Sequence, residues 1–127
     1  MSYHTNIVIY TGHPDGPVTI CDMGSITSNV NIMYCRALIY SYPGGGRYNA
    51  TGAPDPKPGL IGLSGLDCSF VAPILREAVS FMRTHEEEML KLEPSNGWGS
   101  YRDALSYLSS IATECEFHPL ATLAISW

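Results

Sequence analysis

A chain of 127 residues and 13.9 kDa is enough for one domain with a buried core. Only 15% of its residues are charged against 45% hydrophobic, and the formal net charge is −5. An acidic balance of this kind lacks the basic footprint that long DNA or RNA requires. No apolar run is long enough to span a bilayer, and the start, Met-Ser-Tyr-His-Thr-Asn, lacks the basic and apolar regions of a signal peptide. A cytoplasmic protein is therefore expected. Cys21, Cys35, Cys68 and Cys115 are widely spaced with no Cys-x-x-Cys pair, which reads as reduced, buried thiols. Asn49-Ala50-Thr51 matches a glycosylation sequon but carries little weight without a secretion signal.

Two β-branched runs, Ile7-Val8-Ile9-Tyr10 and Val18-Thr19-Ile20-Cys21, flank a stretch dense in turn residues and predict a hairpin with a long connection. Ser25 to Asn29 is rich in N-cap residues. The stripe Ile26, Val30, Met33, Tyr34, Ala37 and Leu38 that follows predicts a first helix over about 27–39. Residues 41–66 hold seven glycines and four prolines and read as one long loop. A second helix is predicted over about 70–92, its start shifted late by Pro73. The third helix is the plainest: Tyr101, Ala104, Leu105, Leu108, Ile111, Ala112 and Cys115 form one stripe, with Ser100 and Asp103 set as a capping box. The alternating run 121–127 closes as a strand that pairs with the hairpin. The predicted class is α+β, one domain with a small antiparallel sheet covered by about three helices.

No catalytic or cofactor motif accompanies this frame, and no metal site is asked for. His85-Glu86-Glu87-Glu88-Met89 lacks the second histidine of a zinc-protease helix, so His85 reads as a core or edge residue on the apolar side, beside Met82 and Met89. His4, His13 and His118 are scattered. Gly44-Gly45-Gly46-Arg47-Tyr48 lacks the Gly-Lys-Ser/Thr ending of a phosphate loop. It is either a flexible excursion or a flap that lays Arg47 and Tyr48 over a ligand. Asp22 and Asp67, at loop positions before helices, read as caps or as a carboxylate pair.

Two segments suggest binding. Asp22, Ser25, Thr27 and Asn29 place more polar groups around the first helix start than capping needs. In Pro94-Ser95-Asn96-Gly97-Trp98-Gly99-Ser100-Tyr101 a tryptophan stands between two glycines on a turn. Trp98 either packs back between the second and third helices or serves as a stacking platform with Tyr101 and Arg102 beside it.

Thr27-Ser28-Asn29-Val30, Gly65-Leu66-Asp67 and the Leu92–Tyr101 stretch together resemble a family of small uncharacterised proteins encoded by tailed phages and actinobacteria. The resemblance covers most of 18–127, with 43–59 as an insertion. It implies a phage accessory protein in the host cytoplasm. The leading expectation is a non-enzymatic counter-defence protein that sequesters a small nucleotide-like signal, such as a cyclic nucleotide or an ADP-ribose-like molecule. Its binding residues would be Asp22, Ser25, Thr27, Asn29, Arg47, Tyr48, Asn96, Trp98, Tyr101 and Arg102. The alternatives are an inhibitor of a host defence protein, anchored by Trp98 and Tyr48, and a small hydrolase using Asp22 or Asp67. A homo-oligomer is expected because Leu123, Ile125 and Trp127 form an apolar final strand.

Overall fold

The computed structural model describes residues 2–12, 14, 16–41 and 59–126. Strand β1 (Ser2–Ile9) lies between β2 (Val18–Thr27) and β3 (Thr122–Ser126), antiparallel to both. Helices α1 (Asn31–Ser41), α2 (Cys68–Thr84), α3 (Glu86–Lys91) and α4 (Tyr101–Phe117) complete the α+β arrangement predicted from the sequence. Alternation decides which strand residues face the helices: Tyr3, Thr5 and Ile7 of β1 and Leu123 and Ile125 of β3 are buried. They meet Met33, Tyr34, Ala37 and Leu38 of α1, Val71, Leu75, Ala78 and Met82 of α2, and Ala104, Leu108, Ile111 and Cys115 of α4. Two tyrosine hydroxyls tie the helices across this core. Tyr34 donates to the Ala104 carbonyl (2.8 Å) and Tyr101 to the Met82 carbonyl (2.9 Å).

Several boundaries differ from the sequence expectation. β2 runs on to Thr27, and only a short 3-10 helix (Ser28–Val30) separates it from α1, so the first helix starts later than 27. Of the residues read as helix caps, Asp22, Ser25 and Thr27 are strand residues because β1 supplies them with partners, from Ser2↔Thr27 to Asn6↔Asp22, while Ser28 and Asn29 enter the 3-10 helix, whose N-cap is Thr27. The loop assigned to 41–66 ends in a second 3-10 helix (Leu60–Leu63) whose Leu60, Ile61 and Leu63 are buried. The α2 helix begins at Cys68, earlier than expected. Pro73 is tolerated because the carbonyl it leaves without a partner, that of Ser69, belongs to an exposed residue.

The helix predicted over 70–92 is broken at His85. Thr84 Oγ1 donates back to the Ser80 and Phe81 carbonyls, which competes with helix continuation. His85 takes φ −117°, ψ 39° and stacks on the Phe81 ring at 3.9 Å between centroids. It is exposed, so of the core and edge readings only the edge one fits. Glu86, Glu87 and Glu88 then open α3, where the helix dipole favours acidic groups.

The outer edge of β3 is sealed. Gly65 N–H donates to the Leu123 carbonyl (2.7 Å), Leu123 N–H to Leu66 (2.9 Å), and Ile125 N–H to Ser64 Oγ (2.8 Å). Leu123 and Ile125 point into the core, so the strand expected to drive self-association offers neither an open edge nor an apolar face. Trp127 lies outside the described residues. No disulfide joins the four cysteines. Cys68 and Cys115 are buried and burial pushes both thiols up, whereas Cys21 and Cys35 are half-buried rather than buried as expected. No helix of the described residues is long and apolar enough to cross a membrane.

Candidate ligand-binding site

The site begins with one glycine in a strand. Between the pairs His4↔Ser25 and Asn6↔Asp22, Thr5 faces two residues, Met23 and Gly24, and Gly24 has φ +75°. This is a β-bulge of the type that wants glycine in the left-handed region. Asp22 and Ser25 are three residues apart and would point to opposite faces of a regular strand. The extra residue turns both to the face of His4. Tyr107 of α4 fixes the bulge by donating its hydroxyl to the Gly24 carbonyl (2.8 Å).

A hydrogen-bonded chain results. Asp22 Oδ1 accepts from the Gly24 N–H (2.8 Å) and lies 2.8 Å from His4 Nε2, while His4 Nδ1 lies 2.9 Å from Ser25 Oγ. The Gly24 N–H above all, opposed by desolvation and helped by His4, holds the Asp22 carboxyl below its ordinary range. All three side chains keep contact with solvent.

The second part of the site is the tryptophan turn. Asn96 Oδ1 accepts from the Trp98 N–H (2.9 Å), and Asn29 Nδ2 donates to the Trp98 carbonyl (3.2 Å). Gly99 (φ +123°) packs so closely that a Cβ there would stand 2.8 Å from Val30 Cγ1 and 2.9 Å from Thr27 Cγ2. The backbone of the turn is thus pinned to the start of the first helical segment while its side chain is left out. Trp98 is 71% exposed, which overturns the expectation that the indole packs back between helices.

Ser2, Ser25, Ile26, Thr27, Asn29 and Trp98 line a cleft of about 530 Å³. A neighbouring cleft of about 410 Å³ shares Ser25, Ile26 and Thr27 and continues along α4 past Gly99, Asp103, Ser106, Tyr107 and Ser110. Together they form one surface along the edge of β2 that carries the hydroxyls of Ser2, Ser25 and Thr27 beside the exposed indole of Trp98.

Of the residues expected from the sequence, Ser25, Thr27, Asn29 and Trp98 come together here, though Ser25 and Asp22 arrive from a strand and not from a helix N-terminus. Asp22 joins through His4, and Asn96 positions the turn. Tyr101 does not belong: it is buried, its N–H donates to Glu93 Oε2 (2.7 Å) and its hydroxyl is committed to Met82. Arg102 lines a different cleft, with Arg83 and Glu86. Arg47 and Tyr48 lie outside the described residues, as does His13. Asp67 precedes α2 and bridges to Thr122 on the far side of β3. Three strand spacings, about 14 Å, then separate it from Asp22, so the two cannot act as a pair. His4 and Gly24 are the residues that sequence reading missed. The available signal was Gly24 itself, a lone glycine that marks a bulge once the strand from Val18 is carried on to Thr27.

Among the described residues, no group of three His, Cys, Asp or Glu side chains is arranged to hold a metal ion. Comparison with family models, with curated proteins and with solved structures returned no match.

The bulge provides a direct check on this assembly. Gly24→Val forces a β-branched residue into the left-handed region, with open space around the added Cβ, so the cost is conformational, about 1–2 kcal/mol. The expected result is a modest loss of stability together with loss of the His4–Ser25 hydrogen bond, read from the His4 ring ¹⁵N shifts. Unchanged His4 shifts in a folded variant would mean that the bulge does not build the site.

Proposed function

We propose that the chain is a binding protein that captures a small, flat-ringed, nucleotide-like ligand in the cleft under Trp98. The supporting observation is the indole itself: an aromatic 71% exposed, on a backbone fixed from both sides, at the rim of a hydroxyl-lined cleft. Holding a hydrophobic ring in water costs free energy that stacking against a base would recover, about 1–3 kcal/mol per base. Ser2, Ser25 and Thr27 suit the hydroxyls and ring edge of such a ligand. The described residues that line the two clefts include no Lys or Arg, so base and sugar fit this surface better than a phosphate does. In the setting that the phage-type resemblance implies, capture without turnover removes a host signal from circulation.

The test is mass spectrometry of small molecules released from heat-denatured protein, followed by calorimetric titration with nucleosides, cyclic nucleotides and cyclic ADP-ribose isomers. Release of an intact ligand that rebinds is the expected result. No released ligand and no binding heat for any member would defeat the reading, and release of a cleaved ligand would favour the hydrolase. A second reading, a protein–protein inhibitor, draws on exposed Ile9, Tyr10, Val18, Phe117 and Leu120. They gather where β1 leaves and β3 enters the sheet, away from the cleft. It predicts that a host protein, rather than a small molecule, stays with the chain through purification.

A further inference from the structure

Hydrogen-bond polarity at the cleft can be read from the chain Asp22–His4–Ser25, and it narrows the ligand. Asp22 is a carboxylate held by the Gly24 N–H, and a carboxylate only accepts. The 2.8 Å contact between Asp22 Oδ1 and His4 Nε2 therefore requires the imidazole proton on Nε2. In the neutral ring, Nδ1 is then a bare lone pair. The 2.9 Å contact between Nδ1 and Ser25 Oγ can be made by one hydrogen alone, the seryl proton. Ser25 has no second proton to offer.

From this we infer that, with the His4 ring neutral, Ser25 faces the cleft as a fixed hydrogen-bond acceptor, so that the captured ring must carry an N–H or amino donor on the edge that meets it. This rests on the binding reading above and specifies the ligand class: a flat heterocycle stacked on Trp98, with a donor directed at Ser25 Oγ and its hydroxyl-bearing part toward Thr27 and Ser2. A ring presenting only lone pairs at that edge meets a lone pair and is rejected. Asp22 and His4 are positioning residues in this scheme, since they act on the ligand through the Ser25 proton.

Two readouts on the intact ¹⁵N-labelled chain test the inference. The first needs no ligand: in a buffer where His4 is neutral, its ring shifts should report a protonated Nε2 and an unprotonated Nδ1. The opposite tautomer overturns the inference at once. The second is titration with matched pairs, adenosine against N6,N6-dimethyladenosine and benzimidazole against 1-methylbenzimidazole, following the Ser25 and Thr27 amides and the Trp98 indole N–H. The donor-bearing member of each pair should bind about five- to tenfold more tightly. Ser25→Ala should bring the ratio close to one while the Trp98 indole still moves. Equal binding of the methylated compounds to the unmodified chain overturns the inference but keeps the cleft as a binding site. If no compound moves the Trp98 indole, the binding reading itself falls.

Discussion

Gly99→Ala is expected to lower the stability of the fold by about 2–5 kcal/mol, a fall in Tm of roughly 7–20 °C for a chain of this size. Two separate costs add. The backbone at φ +123° is one that side chains rarely adopt, and the new methyl would meet Val30 Cγ1 and Thr27 Cγ2 at 2.8 and 2.9 Å. Val30 is wholly buried and cannot withdraw. Thr27 is held where its hydroxyl accepts the Asn29 N–H (3.3 Å) and forms part of the cleft. Gly97, two residues earlier in the same turn, is the control: its φ is +77° but nothing lies within 4 Å of an added Cβ. Gly97→Ala should therefore lose only the conformational part, about 1 kcal/mol. Thermal and urea unfolding of the pair make the comparison. If Gly99→Ala is no worse than Gly97→Ala, the close approach of the turn to the first helical segment is not a feature of the folded chain.

The second large effect concerns ligand and not fold. Trp98→Ala should leave stability within about 0.5 kcal/mol, because an exposed side chain with no core contact has little to lose. The same change should weaken capture of a flat ligand by about 5- to 150-fold, the equivalent of one lost stacking partner. Trp98→Phe should keep most of the affinity, since a smaller ring still stacks. Calorimetry with whichever compound is released from the native protein provides the measurement. An alanine variant that binds as tightly as the parent would remove Trp98 from the site and leave the hydroxyl cluster to account for any binding alone.

Local pattern made the helical part of the fold legible. The stripe from Tyr101 to Cys115 predicted α4 from its first residue to two short of its last, and Ser100 does accept from the Asp103 N–H (3.1 Å). Val71, Leu75, Ala78 and Met82 are buried as their spacing indicates. What failed was non-local. Residues 22–27 carry Asp, Gly, Ser and Thr, a composition shared by helix caps and turns, and only pairing with β1 makes them a strand. The break at His85 rests on a threonine hydroxyl and a ring stack, neither of which disturbs hydrophobic periodicity.

The site was legible in the same uneven way. Thr27, Asn29 and Trp98 could be picked out by type and position, yet their grouping depends on a turn that reaches across 69 residues to Asn29. His4 could not be picked out, because its link to Ser25 spans 21 residues and exists only through the Gly24 bulge. Tyr101 was selected for its place beside Trp98. A helix start turns neighbouring residues in different directions, and this one went to the core.

The central strand has two unlike borders. Toward β3 its register runs without interruption from His4↔Ser126 to Val8↔Thr122, whereas toward β2 it slips twice, between His4 and Asn6 and between Ile7 and Val8. Each slip replaces a stretch of regular ladder with a local kink. The sheet is therefore regular along one seam and kinked along the other, and the kinked seam carries Asp22, Ser25 and Thr27. Side chains three residues apart can therefore be brought to one face on that side of β1 alone, while the seam that closes the first strand against the last keeps strict alternation.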